Sequence, residues 1–365
     1  MKTARLWASL LAVYPSSRLA AQDSQFGIHG LGTPGRWESV RARSTGGAFA
    51  PFDPLSPLTE ASIADIGRLT ATAAAGASYR DADVSGTTTA LRATRFPLMQ
   101  VAGPVASRFV VTAGFTTYLD RTWAVTLRDS AVLRGKVAPY TDVISSDGSI
   151  SDLRLAVASR VSRHIAIGAG MHLLAGSTHE MATRHYDDST FALVQQSGEV
   201  RYDGFGVSGS VIINVAPGLA LAGWARSDNR LRARVADTTT NVTDLPRMAG
   251  GGIVLAPSSR IQLAGSAAWR SWAHAGPGSF DTWTWSGGGE IGFSTMQFRL
   301  GARGGQMPFG PGSTAPTEVA VATGVGRGFA QGRALMDLGL ERLERRGGGL
   351  TERVWTVLVG ITVRP

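Results

Sequence analysis

A serine nucleophile needs a histidine beside it and an acid or amide to orient that histidine. His172 with Ser266 or Ser286 is a pairing that would supply such acyl-transfer chemistry, but nothing in the spacing brings the residues together. His179–Glu180 with His185 matches a metal site in residue type only. The spacing fits no helical ligand motif, and histidines in a loop are ordinarily solvated. Gly324–Val325–Gly326–Arg327–Gly328 and Gly30–Leu31–Gly32 have the composition of phosphate-cradling loops, yet neither opens a helix after a buried parallel strand. The chain has no Cys, which removes disulfides, thiolate metal sites, iron–sulfur clusters and cysteine nucleophiles together. No catalytic residue, metal or cofactor is expected, and the chain does not read as an enzyme.

Alternation is the dominant signal. In Trp355–Val363 the residues Trp355, Val357, Val359, Ile361 and Val363 share one face, opposite Thr356, Leu358, Gly360 and Thr362. Ile165, Ile167 and Met171 lie on such a face, as do Trp283, Trp285 and Ile291. A period of two means strands, and here the second face is small or polar rather than charged. That suits a lipid-facing exterior and a crowded lumen. The one uncharged window long enough for a spanning helix, Gly204–Ala225, is broken by Pro217–Gly218 and reads better as a hairpin.

Fourteen such segments fall at about 69–79, 88–101, 107–128, 150–161, 164–184, 199–215, 218–236, 247–256, 259–273, 281–293, 296–307, 316–327, 331–344 and 351–364. Short connections, such as Gly103–Ala106 and Ala216–Pro217, alternate with long ones, such as Asp81–Gly86, Asp129–Ser149, His185–Gly198, Ala236–Leu245 and Arg346–Leu350. The pattern predicts an all-β fold, a 14-stranded antiparallel transmembrane β-barrel over 68–365, with short turns on one rim and long loops on the other. The first and last strands should pair, with both ends on the short-turn rim. A soluble sandwich or propeller would explain the alternation but not the two unequal rims. Glu290, Arg299, Arg303, Asp337 and Glu341 fall on the lumen face, as an ion-pair ladder or as ligand contacts.

Composition agrees. Gly contributes 46 of 365 residues, and charged residues are 17%, below the usual share of about 25%. The formal charge is +9, carried by Arg except for Lys2 and Lys136, with no basic block that would suggest nucleic acid. Lys2 and Arg5 precede the apolar Leu6–Val13, and Ala20–Ala21 precede Gln22, which predicts a secretory signal peptide over 1–21.

Residues 22–67 do not alternate. They are rich in Gly and Pro, and include Arg43–Ser44–Thr45–Gly46–Gly47–Ala48–Phe49 followed by Asp53. This stretch resembles the N-terminal hatch of the outer-membrane long-chain fatty-acid transporter (FadL-type) family, where a Gly-Gly-Ala-Phe run and an acidic residue sit inside a fourteen-stranded barrel. The family often carries Asn-Pro-Ala next; Leu58–Thr59–Glu60–Ala61 stands there instead, a departure that argues against tight docking of the hatch.

The resemblance implies a bacterial outer-membrane passive channel for hydrophobic small molecules such as fatty acids or aromatic hydrocarbons. Its implied partners are that ligand, the outer-membrane lipids and the barrel assembly machinery. The hatch would plug the lumen, with Gly46, Gly47, Phe49, Phe52, Leu55 and Leu58 lining part of a ligand pocket. A non-transporting barrel that docks or shuttles secreted proteins is the alternative, and a membrane lipid hydrolase the third.

Overall fold

A computed structural model describes residues 24–84, 87–236 and 238–365; the expected signal peptide lies outside them. No described helix is long and apolar enough to cross a membrane. Eighteen strand segments form one sheet that closes on itself. One of them belongs to the hatch. Three pairs are single strands interrupted by a kink, so the wall has fourteen antiparallel strands.

In order they are Thr70–Val84, Thr87–Ala106, Phe109–Asp120 continued by Trp123–Leu133, Lys136–Arg160, Ile165–Tyr186 and Val194–Ala216. Then come Leu219–Asp228 continued by Arg230–Val235, Thr238–Asp244 continued by Arg247–Leu255, and Ile261–Arg270. Thr282–Phe293, Met296–Gln306, Thr317–Phe329, Ala334–Gly347 and Leu350–Val363 complete the wall. The fourteenth pairs with the first from Leu350↔Val84 to Val363↔Ala71, so no backbone edge faces lipid along this seam.

The alternation sets the faces as expected. Trp283 is 61% exposed and Trp355 46%, whereas Thr356 is 6% exposed and Leu358 1%. Ile165, Ile167, Met171, Phe298, Leu300, Met336 and Leu338 also point outward. From Val363 to Trp355 the outward apolar run climbs eight residues at about 3.4 Å each along a strand tilted by about 40°, close to the roughly 25 Å band that lipid requires.

The two rims differ less in loop length than the sequence suggested. Asp129–Ser149, expected as a loop, is mostly the paired strands Trp123–Leu133 and Lys136–Arg160. Ala236–Leu245 is likewise largely strand, and Arg346–Leu350 is a two-residue turn on Gly348 and Gly349, both at positive φ. The fourth, fifth and sixth strands run 25, 22 and 23 residues against 14 for the last. They carry one side of the wall well beyond the membrane band. Above the membrane both faces meet water, so the apolar alternation that marks a strand disappears there.

The hatch runs through the lumen from one rim to the other. Ser24 Oγ donates to Glu352 at 2.9 Å near the Gly348–Gly349 turn, so the first described residue sits at the far rim, opposite the barrel's own ends. Thr33–Pro34 adds to the third strand at Leu119–Asp120. The short helix Val40–Ser44 is capped by Ser39, whose hydroxyl accepts from Ala42 N–H at 3.1 Å, and packs on the last four strands. The 3-10 turn Ala61–Asp65 rests on the third to sixth strands. Phe26, Phe49, Leu55 and Ile63 are buried, apolar groups that a segment this size could not bury alone.

Candidate functional site

Charges that the sequence leaves scattered are assembled by the fold into three groups on the lumen face. The lower one joins Arg299 to Glu290 at 2.6 Å and to Asp337 at 2.5 Å, and hatch Arg41 reaches Glu290 at 3.0 Å. Glu290, Arg299 and Asp337 thus satisfy one another and anchor the hatch helix. Asp53 ties the hatch to itself, accepting from the Ser39 hydroxyl, from Ser56 Oγ at 3.1 Å and from Leu55 N–H at 3.2 Å.

Nearer the outer rim, Glu341 receives Arg43 at 3.0 Å and Arg36 at 3.5 Å, with Arg303 at 3.8 Å. Glu318 pairs with Arg303 and, at 2.7 Å, with Arg345. Burial alone would raise the Glu38 carboxyl. The hydrogen-bonded Arg36 guanidinium, with Arg43 and Arg303, overcomes this and holds it below the usual carboxylate range.

The third group was missed in the sequence. Hatch Glu60, 1% exposed, accepts from Ser208 Oγ at 2.6 Å, Ser210 Oγ at 2.8 Å and Arg154 at 3.2 Å. The hatch is therefore docked at the place where the unusual Leu58–Thr59–Glu60–Ala61 argued against it. Behind Ser208, His172 Nε2 lies 2.8 Å from the hydroxyl and Nδ1 lies 2.9 Å from Asp152. Arg226 bridges Asp152 at 2.6 Å and Asp228 at 2.7 Å, and Tyr118 donates to Asp228 at 2.8 Å.

Ser208–His172–Asp152 has the connectivity of a hydrolase triad, but not its access. His172 meets neither Ser266 nor Ser286, which bond to each other at 2.7 Å. Ser208 gives its proton to the Glu60 carboxylate, and the adjoining cavity is only about 20 Å³. An acyl group has no approach, and a second carboxylate beside the hydroxyl opposes any developing oxyanion. The arrangement is a hatch latch. No group of three or more metal-capable side chains occurs among the described residues, so His179, Glu180 and His185 do not assemble one. Gly324–Gly328 lies within the twelfth strand.

A cavity of about 110 Å³ opens toward the outer rim between hatch and wall. Gly46, Gly47 and Leu58 line it, with Trp37, Trp224 and Met248. Phe49, Phe52 and Leu55 are elsewhere. Phe49 is buried under Arg41 at 5.3 Å, Phe52 packs near Gly252 of the wall, and Leu55 is in the hatch interior. The glycines have a reason: a Cβ on Gly46 would stand 2.6 Å from the Ala302 carbonyl oxygen, so only glycine lets the hatch touch the wall there. A second cavity of about 120 Å³ lies beside Arg43, Arg95 and Glu341.

No family model and no curated protein sequence matches the chain. Solved structures do. A FadL homologue from Pseudomonas aeruginosa superposes with a TM-score of 0.64 at 13% identity, over 91% of this chain and 99% of that one. The toluene transporter TodX of P. putida gives 0.61 at 11%, over 91% and 99%. The monoaromatic hydrocarbon channel CymD gives 0.59 at 11%, over 90% and 97%. At such identities the likeness is one of fold: the chain has the FadL-type fold.

Proposed function

We propose that this chain is an outer-membrane channel that passes small apolar or amphipathic molecules without an energy source. The observation that carries the reading is the outer-rim cavity walled jointly by the hatch residues Trp37, Gly46, Gly47 and Leu58 and by Trp224 and Met248 of an otherwise charged barrel wall. A solute entering there meets the hatch directly, so hatch movement controls passage. The fold neighbours described as a toluene transporter and a monoaromatic hydrocarbon channel support this reading. Fatty acids and aromatic hydrocarbons are the solute classes proposed. The test is flux into proteoliposomes containing the intact chain or a form lacking 26–60. Hydrophobic solute uptake should change, or leak of small polar solutes should rise, in the deletion. Equal uptake and equal leak in a correctly inserted deletion would overturn the channel reading.

A docking role for secreted proteins has its own support. Val132 and Val137, at the hairpin tip above the membrane, are 71% and 68% exposed. Removing 123–145 would abolish such docking and leave solute flux unchanged.

A further inference from the structure

Most lumen arginines have an acid within ion-pair distance; among the described residues Arg270 has none, and Glu38 and Glu318 of the same cavity act on it only from further away. Around the outer-rim cavity Arg36 pairs with Glu38 at 3.0 Å, Arg43 with Glu341 at 3.0 Å, and Arg345 with Glu318 at 2.7 Å and Glu352 at 3.5 Å, while Arg303 takes Glu318. Arg270, at the end of the ninth strand, faces inward between Met248 and Thr282. It has no hydrogen bond and no ion pair among the described residues, and its guanidinium rests 5.9 Å from the Trp37 ring centroid. It lines the cavity. Two other cations of that cavity are only partly satisfied: Arg303 Nε and Nη2 and Arg36 Nη2 are buried without hydrogen-bond partners. Buried donors left open on Arg303 and Arg36, beside an Arg270 guanidinium presented to the cavity, call for an anion with several acceptor oxygens.

The rest of the cavity says what the anion is attached to. Trp224, Met248, Leu58 and Met307 supply its apolar side, apart from the already paired Glu38 and Glu318 carboxylates. Its volume of about 110 Å³ is on the scale of one aromatic ring, since about 150 Å³ admits benzene, and its opening toward the rim leaves space for the charged end. We propose that this cavity binds a small aromatic carboxylate, with the carboxylate on Arg270 and the ring against Trp224 and Met248. The channel would then select aromatic acids over the neutral hydrocarbons of the same size. This rests on the channel reading for its consequence, but not for the binding itself.

Benzoate and benzyl alcohol separate the terms, because they share a ring and differ in charge. Binding to the full chain in detergent is measured by calorimetry, and flux in proteoliposomes. Benzoate should bind more tightly than benzyl alcohol and weaken as salt rises. Arg270→Gln should cost benzoate about tenfold or more in affinity and leave benzyl alcohol unchanged, because the loss is a charge-assisted hydrogen bond. Arg270→Lys, which keeps the charge without the fork, should restore part of the affinity and serves as the folding control. If benzoate binds no better than benzyl alcohol, or if Arg270→Gln leaves benzoate binding unchanged, the assignment is overturned while the channel reading stands. If benzoate binds as expected but neither solute crosses, the channel reading fails and the site remains.

Discussion

Glu60 Oε1 and Ser208 Oγ, one on the hatch and one on the sixth wall strand, lie 2.6 Å apart, and the same hydroxyl lies 2.8 Å from His172 Nε2. A serine has one proton to give. With it donated to Glu60, the hydroxyl oxygen faces His172 Nε2, whose other nitrogen Nδ1 lies against Asp152. The contact therefore holds hatch and wall together through a chain of charges, with Arg154 and Arg226 balancing Glu60, Asp152 and Asp228.

Removing the hatch end of that chain should be expensive. Glu60→Ala strands Arg154, whose side chain is 3% exposed, without its acid. Breaking a buried pair in this way costs about 3–5 kcal/mol. The expected outcome is a hatch that becomes protease-sensitive between residues 50 and 66 while the barrel still resists heat in detergent. A hatch as protected as in the parent would contradict the latch.

Close backbone contact offers a second test. A Cβ on Gly168 would fall 2.5 Å from Glu60 Cβ and 2.7 Å from Ala61 N, and one on Gly301 would collide with the Thr45 carbonyl. Neither neighbour is a side-chain end that can swing away. Gly168→Ala and Gly301→Ala should each displace the hatch and raise ion leak through planar bilayers. Gly287→Ala, where nothing lies within 4 Å of the added carbon, should leave conductance unchanged.

The exterior is tested by charge. Val359→Arg, at the middle of the outward run from Val363 to Trp355, should destabilise the barrel by about 2–4 kcal/mol in urea titrations of vesicle-inserted protein. The same change at Tyr79, opposite Trp355 at the upper edge of the band, should cost about 1 kcal/mol or less. Equal costs would mean the apolar belt has been placed at the wrong height.

Acid should loosen the outer half of the hatch. Glu38 has a folded carboxyl held below its usual value of 4.5, so its contribution to stability is complete above that value and is lost as pH falls through the lower folded one. Hatch protection should be flat from about pH 7 down to pH 5 and decline only below about pH 4. In Glu38→Gln that acid limb should shrink, with protection at pH 7 already reduced. A decline centred near pH 6 would assign the change to another group.

Strand identity and facing were legible because lipid imposes them: each membrane-embedded strand must bury its polar groups on the lumen side, and Trp355 beside Thr356 states this locally. What lipid does not touch was read less well. Asp129–Leu133 and the part of Lys136–Arg160 up to Ser149 have water on both faces, and the sequence reads them as a loop. Lumen partners were illegible for another reason. Glu60 and Ser208 are 148 positions apart, and Arg154 is 94 from Glu60. Facing is a local property of a strand, whereas partnership depends on register and on where the hatch comes to rest. Arg270 could have been flagged as an inward cation beside outward Trp269, but its lack of an acid depends on its neighbours Met248 and Thr282.

The hatch spans the lumen from Ser24 at one rim to Ile66 at the other, and its charged side chains are met by the last strands to be made. Arg43 is paired by Glu341, Ser24 by Glu352, and Val40 packs against Gly360. Glu341 and Glu352, both 2% exposed or less with the hatch in place, would be reached by water in a lumen that lacked it. The hatch therefore acts as a dry former: by excluding water it forces the charges of the final two strands into pairs and stiffens the seam from inside. A mutation that weakens the hatch would then show itself as a wetter lumen, with faster hydrogen exchange along Leu350–Val363, before the barrel itself loosens.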